Sequence, residues 1–71
     1  HLTRGLNIMN FILRYNFQYK EIKASSADHA IEKAREFLKE NKIAFAHLFK
    51  NHLVNSFICS LELVKNHYEI R

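Results

Sequence analysis

Proline and tryptophan are absent from the 71 residues, and glycine, cysteine and methionine occur once each. The missing glycines exclude most. Phosphate-cradling loops, nucleophile elbows and dinucleotide fingerprints each need several glycines, where the chain turns with positive φ or the backbone approaches a ligand closely. Gly5 alone supports none of them. The lone cysteine, Cys59, cannot close an intramolecular disulfide, which points to a reducing, cytoplasmic setting. No apolar run approaches the roughly 20 residues of a membrane helix, and the opening residues lack the basic, apolar, small-residue order of a secretory signal. The expectation is therefore no membrane partner.

The reactive side chains are equally sparse. Five histidines are scattered along the chain, and His47 and His52 have only Cys59 downstream, without the second cysteine or spaced ligands of a zinc site. Cys59 alternates with Phe57, Leu61 and Leu63, so it reads as inert core and not as an activated nucleophile. Glu21, Glu62 and Glu69 form no recognisable acid-base pair. The expectation is a protein without catalytic residues, cofactor or metal, and so not an enzyme.

What is present describes a small domain. A hydrophobic content of 48% with 13% aromatic residues argues against disorder. From Phe11 to Tyr19 the odd positions are Phe11, Leu13, Tyr15, Phe17 and Tyr19, while Arg14, Asn16, Gln18 and Lys20 alternate with them. That is the period of a half-buried strand. Beyond Lys20 the phase shifts to Ile22 and Ala24, which predicts a bulge or sharp twist near Lys20 and Glu21.

Ser25, Ser26, Ala27 and Asp28 follow, with Ser25 as the expected cap and Asp28 in capping-box spacing. Ala27, Ala30, Ile31, Ala34, Phe37 and Leu38 then recur at three and four residues, the inner stripe of a helix that ends near Asn41, the expected left-handed residue. Small alanines on the helix complement bulky rings on the strand, so the helix is expected over Phe11, Tyr15 and Tyr19. The segment from Ile22 to Ala34 resembles strand-to-helix junctions in many small bacterial and phage domains, without singling out a family.

Residues 43–49 suit a strand or a helix, and the flanking Asn41-Lys42 and Lys50-Asn51 favour the strand. Leu53 to Val64 reads as a long strand paired with it, Lys65-Asn66 as a tight turn, and His67 to Arg71 as a short last strand. The fold class is thus α+β: a single helix packed on one face of a small, mainly antiparallel sheet of three to four strands, in the order β-α-β-β-(β). Residues 11–71 form this one domain. Residues 1–10 are read as a flexible extension, with Met9 a candidate start.

A sheet with one helix on it leaves its other face open. The apolar residues expected outside the core are Phe45, Leu48, Phe49, Ile58 and Val64, a candidate protein-binding surface. So small a core also favours self-association, with a dimer as the simplest form. The leading expectation is a non-enzymatic protein of adaptor or inhibitor type, of the kind phages and mobile elements encode, binding another protein through the open face or an edge strand.

The alternative follows from charge. Formal net charge is +4, and the helix holds three basic and four acidic side chains, so basicity resides on the sheet and turns. Arg14, Lys20, Lys23, Lys50 and Lys65 are the candidate nucleic-acid contacts.

Overall fold

The structure, a computed structural model, describes residues 7–51 and 54–71; His52 and Leu53, which the readings above include, lie outside them. The elements run β1 (Met9–Tyr15), β2 (Gln18–Ala24), α1 (Ala27–Glu40), β3 (Phe45–Lys50), β4 (Ser56–Val64) and β5 (His67–Ile70). They build one antiparallel sheet in the order β2-β1-β3-β4-β5, with α1 on one face. The α+β class and the single helix layer hold. The strand count and order are corrected to five strands, with the helix after the second.

The correction comes from Asn16 and Phe17. Both have positive φ, 45° and 64°, and Tyr15 pairs with Gln18, so the long aromatic ribbon is a hairpin closed by a two-residue turn. Positive φ at both central residues is the mirror-image turn whose twist matches that of the strands. The phase change after Lys20 therefore reflects this turn, not a bulge. Phe11 and Leu13 are buried and Tyr15 half-buried, whereas Phe17 and Tyr19 are exposed and do not lie under the helix.

The helix begins at Ser26, one residue later than expected, where the side-chain oxygen accepts from the His29 N–H at 3.1 Å. Ala30, Ala34 and Leu38 form its buried stripe, Ile31 and Phe37 pack beside it, and Ala27 is exposed. At the other end Ile43 N–H donates to the Leu38 carbonyl and Lys42 N–H to that of Lys39. This is a Schellman closure, and its left-handed residue is Lys42 (φ 55°), not Asn41. Asn41 instead donates its Nδ2 to the Phe37 carbonyl at 2.8 Å.

α1 approaches β2 and β3 most closely, so Ala30 and Ala34 sit against a floor of Phe11, Leu13, Ile22, Ala24, Ala46 and Leu48. The small residues let helix and sheet close up around the larger ones. Cys59, Leu61 and Tyr68 continue the core under the far side of the sheet. Tyr68 fastens that side, its hydroxyl donating to the Ile43 carbonyl at 2.6 Å. Among the described residues no helix is long and apolar enough to cross a membrane.

Candidate functional site

Register determines what the uncovered face carries. Leu48 pairs with Leu13 on one side and Cys59 on the other, all three buried towards the helix, so their neighbours in sequence point the other way. Row by row, the open face receives Tyr19, Arg14, His47 and Ser60 from four successive strands, and beside them Glu21, Ile12, Phe49 and Phe57. Phe45 lies in the next row, opposite Glu62 and Glu69.

The result is a run of rings. Centroids are 4.8 Å apart for Phe45 and His47, 6.1 Å for His47 and Phe57, and 5.5 Å for Phe57 and Phe49, mostly edge to face. Phe45 is 45% exposed, Phe57 57% and Tyr19 69%. Ser60, itself buried, holds His47 in the row through a 2.7 Å contact between Oγ and Nδ1.

Phe57 belongs to this face only because the β3–β4 register slips. Leu48 pairs with Cys59 but Phe49 with Phe57, so Ile58 is an extra residue and the strand rotates there. Without that bulge Phe57 would share the helix side with Cys59 and Leu61, as simple alternation implies. Nothing in the local sequence marks the bulge. Tyr19 and Ile12 also join this surface: the hairpin turn carries Tyr19 to the side opposite Phe11 and Leu13, and Ile12 alternates with them.

Of the expected protein-binding residues, Phe45 and Phe49 come together on the open face. Leu48 does not; it is fully buried against β1 and β4 and belongs to the core. Ile58 sits at the bulge, half-buried against that core, and Val64 lies half-buried beside the β4–β5 turn, away from the rings. The five basic candidates do not converge either. Arg14 and Lys23 are on the open face, Lys20 is on the helix side with its ammonium 5.4 Å from the Phe37 ring, Lys50 shares the side of Phe11, and Lys65 is in a turn with φ 59°.

The open face is electrically balanced. Arg14, Lys23 and Arg71 are matched by Glu21, Glu62 and Glu69, and Arg71 bridges Glu62 at 3.1 Å and Glu69 at 3.3 Å. These exposed pairs position side chains more than they stabilise. Between the hairpin tip and the start of β3 lies an open cleft of about 480 Å³, lined by Arg14, Tyr15, Phe17, Phe45 and His47 among others. A second cleft, of about 410 Å³, has Arg35, Lys39 and His67 against Glu36.

The thiol of Cys59 is on the helix side of the sheet and His47 on the open side, so the two cannot act together. Burial pushes the Cys59 thiol above its usual range, with the nearby Arg35 guanidinium opposing part of that rise. A neutral, buried thiol is a poor nucleophile. Among the described residues no three His, Cys, Asp or Glu side chains gather as a metal site. No family model, curated protein or solved structure matches the chain.

Proposed function

We propose that this is a non-enzymatic protein-binding module, acting in a reducing compartment through the open face of its sheet. The observation that carries the reading is the ring run Phe45, His47, Phe57 and Phe49, laid across adjacent strands and, among the described residues, left without a covering layer. A contiguous apolar and aromatic patch rimmed by charge is what protein interfaces present. The balance of charge on the same face supports a protein partner over a polyanion, since phosphate binding draws on a surplus of Lys and Arg.

The test is a photo-crosslinking phenylalanine analogue at Phe57, with the same analogue at Glu32 on the outer face of α1 as control. Covalent adducts with protein are expected from position 57 and not from 32. Equal labelling from both positions, or none from 57, would refute the reading.

One observation favours nucleic acid as a second reading: Arg14 stands between Tyr19 and His47, a cation among stacking rings. Fluorescence anisotropy with single-stranded oligonucleotides decides it. No binding at low salt removes it.

A further inference from the structure

β3 is the middle strand of five, and the charges of the open face divide unequally about it. The β1–β2 half carries Arg14 and Lys23 against Glu21, a net of plus one. The β4–β5 half, with the Arg71 that follows it, carries Glu62 and Glu69 against Arg71, a net of minus one. The uncharged rings of β3 and Phe57 lie between. An apolar centre flanked by opposite charges is self-complementary under a two-fold rotation, the commonest symmetry of protein pairs.

We infer that the occupant of the open face is a second copy of this chain, stacked sheet on sheet about a two-fold axis running along β3; this rests on the reading above that the open face is the binding surface. That axis lays the β1–β2 half of each copy over the β4–β5 half of the other, setting Arg14 over Ser60 of the second copy, with Glu62 two residues further along the same strand. An axis across the strands would lay each half on itself and set Arg14 near Arg14. Like charges thus choose between the two arrangements. Along the axis Phe45, His47 and Phe49 meet their own copies, and the stacked sheets form an aligned sandwich, its two β3 strands running the same way, with a shared apolar layer about 10 Å thick.

The area is sufficient for a reversible pair. Five strands spaced about 4.8 Å apart, each contributing about 20 Å of length, present a flat area of roughly 480 Å². Side-chain relief raises the accessible area per copy towards the roughly 600 to 800 Å² of small but specific interfaces. The dimer is therefore expected to dissociate in the micromolar range, not to be permanent.

Sedimentation velocity of the full chain, from about 1 to 500 µM to bracket that range, tests the inference. The wild type is expected to pass from monomer to dimer with concentration. Phe57→Lys, at an exposed position, should stay monomeric throughout while keeping its far-ultraviolet circular dichroism. Arg14→Glu and Glu62→Arg should each weaken the dimer about ten-fold, and the double variant should recover most of the loss.

A wild type that is monomeric at every concentration overturns the inference. So does a dimer indifferent to Phe57→Lys, or a double variant no better than the single ones. If the chain stays monomeric but the analogue at position 57 captures a different protein in cells, the second copy is excluded and the binding face stands. If position 57 captures nothing, both fall.

Discussion

The hairpin tip offers the sharpest test of the backbone reasoning. Phe17 has φ 64°, and its side chain is fully exposed, so a β-carbon sits in the left-handed region with no burial to offset it. For an L-residue that conformation costs about 1 to 2 kcal/mol, while glycine adopts it freely. Glycine also loses about 0.5 to 1 kcal/mol more entropy on folding than alanine in regular structure. Phe17→Gly, which makes the turn Asn-Gly, should therefore stabilise the chain by about 0.5 to 1 kcal/mol. For a domain this small each kcal/mol moves Tm by about 4 to 8 °C, so a rise of roughly 2 to 8 °C is expected. Urea unfolding followed by circular dichroism, at a concentration low enough to keep the chain monomeric, should show a higher midpoint and an unchanged slope. A lower midpoint would mean that the Phe17 ring is packed or that the turn is of another type. If the same substitution also weakens partner capture, the ring is held in an unfavourable conformation for binding.

Three further substitutions probe the fold. Ser26→Ala removes the oxygen that accepts from His29 N–H and should cost about 1 kcal/mol, read as a drop in the urea midpoint and in helical ellipticity. Leu48→Ala empties a fully buried site between β1 and β4 and should cost about 2 to 5 kcal/mol, a large part of the roughly 4 to 10 kcal/mol expected for a chain of this length. Tyr68 carries the pH dependence: burial raises its pKa above the ordinary 10.0, so the folded state favours the neutral phenol. Its contribution is fully present below the unfolded value and is lost as pH rises through the raised one. In a Cys59→Ala background, which removes the other raised group, Tyr68→Phe should flatten the fall in stability above roughly pH 10. An unchanged fall would assign it elsewhere.

The helix is legible because its alanine stripe, capping serines and terminal charges all agree; it differs from that reading by one residue at each end, by the exposure of Ala27 and by leaving Tyr19 uncovered. The hairpin is not legible, for a reason that generalises. A two-residue turn switches the inward-facing positions from odd (Phe11, Leu13) to even (Ile22, Ala24), which is also what a one-residue bulge does. Phase alone cannot separate them. Length can: a single strand from Phe11 to Ala24 would hold 14 residues, longer than the roughly 3 to 10 of ordinary strands. Asn16 was the turn signal, obscured by the aromatic residue after it.

On the open face Phe45 and Phe49 can be found from their alternation with Ala46 and Leu48, although Leu48 itself is core. That strand has bulky apolar residues on both parities, and the pattern does not say which parity the helix takes. Alanine at 46 was the available clue, since a helix packs closely over a small residue. Phe57 was hidden by the bulge at Ile58, which depends on pairing between strands and so on no local signal.

Six of the seven residues from Ile43 to Phe49 are apolar, the pattern of a strand with a layer on each side. The described residues supply only one layer, so a partner on the other face, as proposed, would couple folding to association. A partner that binds the folded chain alone, at a hundred times its dissociation constant, adds about 2.7 kcal/mol, comparable to a sizeable share of the intrinsic stability. The coupling separates the two faces of β3 experimentally. Leu48→Ala removes contacts that each copy makes within itself and should lower Tm equally at every concentration. Phe57→Lys should cost the dilute chain only its edge contacts with His47 and Phe49, about 1 kcal/mol, and lower Tm further where the wild type is associated, because more than half of the ring faces solvent until something covers it. Equal losses from Phe57→Lys at low and high concentration would show that its ring supports the single chain, and the open face would then lack a binding role.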